Sequence, residues 1–422
     1  MRYENDATVG PAGRYNITSA PTALAQRRGA GSYFHLAVDG ECEERPVSLR
    51  TVRHTNLERE ADDEGYRAGR ARLTRLPRLL NQVDGVVFPE LIDHFEDRNI
   101  VEPFHDPSLA EHEPVLVFQH LRGTDLEASV ARRYFVASED RDYPHRIHVP
   151  RVARFFRRVT LLAQSLLAGG VAHLDLSPAH VLLSPKDEIP RLLGPGHLAA
   201  LNDGRIVAGD PALRFTAAGF VAPELVSSVH DWGNEASGEA VMLYGLGASL
   251  LAVLLGGSSH LSDRCMREGP DGAISLALEL RDVIGADPAR YNASRLRYLE
   301  LVVALLAQDP VQRLAAMSLD KLVVELEALA EGQGAESRVT LRCERCKTTF
   351  EGSPERHTFD FFGHSFIMCR AHLSGSIAPV TRVLPCGCTY QERAGDEWAR
   401  KSRNEAPRRH CTRHRSTRWG AR

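Results

Sequence analysis

Eight residues toward the C-terminal end have the types and spacing of metal ligands. From Cys343 the pattern runs C-x2-C, 22 residues, C-x2-H, 13 residues, C-x-C, 22 residues, C-x2-H, selecting Cys343, Cys346, Cys369, His372, Cys386, Cys388, Cys411 and His414. Thiolates and imidazoles are ligands that zinc takes four at a time in a closed tetrahedron, and a close pair lets one short turn supply two of them. Four pairs therefore predict two structural Zn2+ ions. No cysteine of this segment is left over, and His357, His364 and His410 are spare. Joining pairs one with three and two with four would give a cross-brace, and joining neighbours would give sequential sites; the spacing leaves both open.

A second stretch, "VAHLDLSPAHVLLSP" (residues 171–185), offers a different chemistry. Asp175 stands in a short polar turn between apolar runs, where a carboxylate can act as a base or simply hold its loop by accepting backbone hydrogen bonds. The histidine two residues before it, His173, reads as a satisfied core side chain.

The rest of the chain must position these groups. With 422 residues, 43% hydrophobic and 25% charged, it can bury a sizeable core spread over two or three domains. A net charge of −3 sets no global demand for nucleic acid or an acidic membrane. Only four lysines occur, so nearly all positive charge is arginine. The polar start lacks an apolar core for a secretory signal, and the longest apolar run, "AVMLYGLGASLLAVLLGG", falls short of the roughly 20 residues that span a bilayer. The expectation is a cytoplasmic protein with no membrane segment, in which cysteines serve something other than disulfides.

Residues 1–22 read as a flexible leader. "SYFHLAVDG", "RPVSLRTVR" and "EPVLVFQHL" read as strands, and "DDEGYRAGRARLTRLPRLL" between them as a helix on the spacing of Leu73, Leu76 and Leu80. From about 150 the pattern is helical, over "RVARFFRRVTLLAQSLLAGG" and then 239–256, 275–285, 294–308 and 318–330. The composition of "AEGQGAES" marks a linker. Cys42 and Cys265 read as lone thiols.

A small β-rich lobe, an apolar hinge strand and a larger helical lobe follow one another in the order of a protein kinase, and "HLDLSPAHVLL" resembles that family's H-R-D-x-K-P-x-N loop. His173, Asp175 and Pro178 match in spacing, while Leu174, Ser177 and His180 replace arginine, lysine and asparagine. "GAGSYFHL" resembles the glycine-rich phosphate loop through Gly29 and Gly31. "VSLR" resembles the strand that carries the phosphate-gripping lysine, here Arg50. "GFVAPE" and "LLAQDPVQRL" resemble the segments whose Glu224 and Arg313 would form a structural ion pair. The resemblance implies an α+β chain with a bilobal protein kinase-like fold: a small N-lobe over 23–122, a helical C-lobe over 123–330, a linker at 331–340, a zinc-stabilised domain at 341–416 and a basic tail at 417–422. The alternating Cys/His pairs resemble treble-clef and RING-like zinc modules.

Measured against the same resemblance, the chemistry is incomplete. Phosphoryl transfer needs a lysine tied to a helix carboxylate, two magnesium ligands and an aspartate facing the substrate hydroxyl. The helix after Arg50 reads Arg67, Gly69, Arg70, Arg72, with Glu64 the nearest acid. Where the magnesium aspartate is expected stands Gly194-Pro195-Gly196, and the second magnesium ligand is His180. Asp203 and Asp210 are the acids that would have to replace them. The expectation is a pseudokinase acting as a regulator or scaffold through protein partners, with ATP a candidate ligand and Mg2+ lacking evident ligands. The alternatives are an active Ser/Thr protein kinase with displaced metal ligands and Asp175 as base, and a nucleic-acid-associated adaptor. The last would use the stretch after Tyr390, which holds nine arginines and one lysine against four acids, with Trp398 and Trp419 among them.

Overall fold

The computed structural model describes residues 7–18, 22–23, 32–42, 45–52, 63–83, 85–98, 112–121, 123–131, 135, 147–183, 190–207, 209–212, 219–226, 236–286 and 293–331, and strands at 339–342, 349–352, 358–361, 364–367, 380–383 and 389–392. The chain divides into two compact units, one of residues 1–135 and 149–331, the other of 136–148 and 332–422. It is a mixed α+β protein whose strands, among the described residues, pair antiparallel.

The first unit opens with a seven-stranded sheet. Its strands are β1 (Thr8–Val9), β2 (Tyr15–Ile17), β3 (Thr22–Ala23), β4 (Ser32–Asp39), β5 (Arg45–Val52), β6 (Leu91–Arg98) and β7 (His112–Gln119). They run in the order β1-β2-β4-β5-β7-β6, and β3 pairs separately with β4. Alternation decides which side chains face inward: Val47 and Leu49 on β5, with Val115 and Val117 on β7, are fully buried in one cluster. Helix α1 (Asp63–Leu80) follows β5 and buries Leu73, Leu76 and Leu79.

The expected leader is not one. Residues 8–17 form the edge of the sheet, with Tyr15 and Ile17 at 0% and 1% exposure inside the same cluster. Arg14 fastens this edge through a two-pronged pair with buried Asp39, Nε to Oδ1 at 2.8 Å and Nη2 to Oδ2 at 2.6 Å. The Tyr15 hydroxyl donates to Asp93 at 2.8 Å. A three-residue strand is too short for its period to stand out in the sequence.

The helical part contains β8 (Thr124–Asp125), α2 (Leu126–Ala131), α3 (Val149–Ala168), β9 (Val171–His173), β10 (Val181–Leu183), β11 (Pro190–Leu192), β12 (Leu198–Asn202) and β13 (Arg205–Ile206). After these come α4 (Pro223–Val226), α5 (Gly238–Leu255), α6 (Ser258–Glu268), α7 (Gly272–Ala286), α8 (Ala293–Leu305), α9 (Pro310–Ala316) and α10 (Leu319–Glu331). α5 is the apolar run of the sequence. Among the described residues it is the one helix long and apolar enough to cross a membrane, and 94% of it is buried inside the fold. Ser237 caps its start by accepting from the Ala240 N–H, and Gly256, at φ 82°, ends it.

The second unit contributes three hairpins, β14 (Val339–Arg342) with β15 (Thr349–Gly352), β16 (Thr358–Phe361) with β17 (His364–Ile367), and β18 (Val380–Val383) with β19 (Thr389–Glu392). Of the linker expected at 331–340, Glu331 belongs to α10 and Val339 and Thr340 to β14, and the residues between lie outside the described residues.

Ile17→Ala tests the revised N-terminal edge. The loss of a fully buried side chain from the sheet core should cost about 2–4 kcal/mol in urea unfolding, where an unpacked leader would register almost nothing.

Candidate functional site

Two antiparallel ladders bring Asp175 together with residues twenty positions further on. β9 pairs with β12, setting His173 opposite Leu198, and β10 pairs with β11, setting Val181 opposite Leu192. Two backbone bonds lock the connecting turns: Leu174 N–H to His197 O at 2.9 Å, and Leu193 N–H to His180 O at 2.7 Å. α5 holds the first turn from beneath, since the Ser249 hydroxyl donates to Leu176 O. A Cβ at Gly245 would sit 3.2 Å from Leu176 Cβ, so glycine there permits the close approach.

Asp175 is 2% exposed and lies at the centre of a histidine cluster. The His180 and His197 rings are 4.6 Å apart, and His173 is 5.8 Å from each. His180 Nδ1 is 3.5 Å from Asp175 Oδ1, 3.0 Å from Asp175 O and 3.1 Å from Ser177 Oγ. Burial alone would raise the Asp175 carboxyl, but the nearby His180, His197 and Ser177 hold it well below the usual carboxylate range. Burial and the facing His180 push His197 well below an ordinary histidine.

His173 is used on both sides of its ring. Nδ1 accepts from the Asp175 N–H at 3.2 Å, and Nε2 faces Leu193 O at 3.1 Å. Burial pushes it down to about 4, which keeps the imidazole neutral. Stacked on Phe88, it serves as a core strut.

Gly194, where a magnesium aspartate was sought, has φ 66°. A Cβ there would come within 2.7 Å of His180 Cδ2 and 3.1 Å of His197 Cδ2, so the two imidazoles fill the space a side chain would need. The two substitute acids are committed elsewhere. Asp203 occupies the exposed turn between β12 and β13 at φ 49°. Asp210 is 3% exposed and takes a two-pronged pair from Arg75, with Nη2 to Oδ1 at 2.5 Å, as well as the N–H groups of Ala200 and Ala212.

α1 and β5 each bring one arginine into this region. Arg72, 3% exposed on α1, lies across Gly196, whose Cβ position is 3.2 Å from the guanidinium carbon. Burial and the charges of Arg50 and Arg75 push Arg72 down to about 9. Burial likewise pushes Arg50 down to about 10, and its guanidinium sits over the Phe118 ring at 5.6 Å. Among the described residues Arg50 forms no ion pair with a carboxylate. The side chain of Glu64 lies outside the described residues.

Glu224 and Arg313 meet as the sequence pairs them, Nη1 to Oε1 at 2.8 Å and Nη2 to Oε2 at 3.3 Å. Arg313 is fully buried and also donates to the carbonyls of Ala240 and Ala307. Gly29, Gly31 and all eight expected zinc ligands (Cys343, Cys346, Cys369, His372, Cys386, Cys388, Cys411 and His414) lie outside the described residues. Cys42 is an exposed free thiol and Cys265 a buried one.

Sequence reasoning missed His197 and Arg72 as members of the site. His197 directly follows the Gly-Pro-Gly that was read only for its absent carboxylate, and a ligand-type residue beside a lost ligand was the available signal. Compared with known proteins, the chain matches no family model and no curated sequence.

Arg313→Ala would strand Glu224 and two backbone carbonyls. It should destabilise the protein by about 3–5 kcal/mol in chemical denaturation, and Arg313→Lys should recover only part, because an ammonium cannot reproduce the fork.

Proposed function

We propose that residues 23–330 follow the protein kinase-like plan and act as a pseudokinase, a regulator or scaffold that works through protein contacts and carries a structural zinc module at its C-terminal side. The reading rests on the ordered landmarks of the sequence. It is supported by an antiparallel sheet with a helix after β5, by the two ladders around Asp175, and by the Glu224–Arg313 pair.

One observation carries the loss of catalysis. The space around Gly194 is filled by His180 and His197, and Asp203 and Asp210 are engaged in a turn and an ion pair. Magnesium demands octahedral oxygen ligands, and among the described residues Asp175 is the one carboxylate in the cluster. Without that ion the charge of a transferring phosphoryl group goes uncompensated, a loss of several kcal/mol in the transition state.

For the zinc module, the support is ligand arithmetic together with hairpin register. Arg342 pairs with Thr349 across the segment that holds Cys343 and Cys346, and Val383 pairs with Thr389 across the segment that holds Cys386 and Cys388. A short strand connection is where a two-ligand zinc turn belongs.

Two experiments test the halves separately. With labelled ATP and Mg2+, the full chain should incorporate no more phosphate than Asp175→Asn, and Mg2+ should add nothing to any thermal shift produced by ATP; incorporation that the variant abolishes would sink the pseudokinase reading. In metal analysis, Cys386→Ser should lower the zinc content of the full chain by one equivalent, and unchanged content would remove the zinc module.

A further inference from the structure

We propose that Asp175, His180 and His197 form a binding site for a divalent first-row transition ion, of zinc or cobalt type rather than magnesium. One ligand atom from each residue lies within 4.8 Å of those of the other two. Two imidazoles and one carboxylate are a borderline donor set, suited to zinc, cobalt, nickel or iron and poor for magnesium. This inference rests on the geometry alone and stands whether or not the kinase-like reading does.

Burial favours a bound ion over an idle cluster. His197 is 8% exposed, and its Nδ1 is buried with no hydrogen-bond partner among the described residues, a costly state for a polar nitrogen unless something else fills its lone pair. His173 is excluded as a ligand, since the backbone occupies both its nitrogens. It instead fixes the Asp175 turn, much as outer groups orient the ligands of metal centres.

Distances set the adjustment required. Ligand atoms about 2.0 Å from a tetrahedral ion stand roughly 3.3 Å from one another. Asp175 O and Ser177 Oγ occupy His180 Nδ1, so Nε2 is the nitrogen that His180 offers, and rotation of the rings has to draw ligand atoms that stand within 4.8 Å of one another to that spacing. Glycine at 194 keeps a side chain out of the space between the two rings. Three protein ligands leave the ion at least one open position.

The rival reading is an imidazolium–carboxylate pair between His180 and Asp175 that needs no ion. Cobalt separates the two, because a cobalt ion bound to cysteine shows an intense sulfur-to-metal charge-transfer band and one bound by imidazole and carboxylate does not. Full-length protein, His180→Asn and His197→Gln are produced with cobalt in place of zinc and checked for folding by circular dichroism. Each folded variant should carry one cobalt equivalent fewer than the wild type, and the difference spectrum should show ligand-field bands without the sulfur band. Equal cobalt content, or a difference spectrum dominated by the sulfur band, overturns the site. The wild type titrated stepwise gives a reading free of any substitution. One equivalent should bind without growth of the sulfur band and resist displacement by a thousandfold excess of Mg2+; growth of that band with every equivalent, or release into Mg2+, overturns the proposal.

Discussion

A carboxylate 2% exposed to solvent has to be compensated where it lies, and the arrangement around Asp175 follows from that requirement. The ladders β9–β12 and β10–β11 bring two histidine-bearing turns face to face, and backbone bonds from Leu174 and Leu193 fix their separation. His173 takes the Asp175 N–H, while His180 and His197 supply polar nitrogens near the carboxylate. Gly194 must lack a side chain for both rings to fit. The residue types are thereby linked to one another: imidazoles at 180 and 197 require a bare backbone at 194.

Much of the architecture could be read in the sequence because the signals are long. The apolar period of "RVARFFRRVTLLAQSLLAGG" and the unbroken run of α5 exceed any local ambiguity, and the structure forms helices at both. The Glu224–Arg313 pair was legible through the resemblance that "GFVAPE" and "LLAQDPVQRL" carry, not through the pattern of either segment alone. Short elements were not. β1 and β2 hold two and three residues, too few for a period, although Tyr15 and Ile17 are as buried as any side chain of the sheet. β6, "LIDHFEDR", pairs along β7 although its sequence is dense in charge: His94 and Glu96 are exposed, while Asp93 lies on the side of Phe95 and is taken up by the Tyr15 hydroxyl. The histidine cluster was hidden for another reason. It joins residues that strand register makes neighbours, and register is a property of the fold that spacing along one segment does not encode.

Arginine dominates the positive charge of this chain, and its interior uses the guanidinium in three ways. Arg313 is saturated by a carboxylate and carbonyls. Arg75 is neutralised by Asp210. Arg72 and Arg50 are pushed down to about 9 and about 10, burial being the largest cause in each. Planar, delocalised cations tolerate such sites better than an ammonium would.

The Arg75–Asp210 pair has a mechanical meaning as well. It rivets α1 to the strand turn that follows β13, and a third prong from Arg75 to Leu198 O ties the same helix to β12, the strand that begins directly after His197. A helix pinned at two points in this way is tied to β12 and to the turn after β13 together, so the side chain that neutralises Asp210 also fixes how closely Arg72 stands to the turn that carries His197.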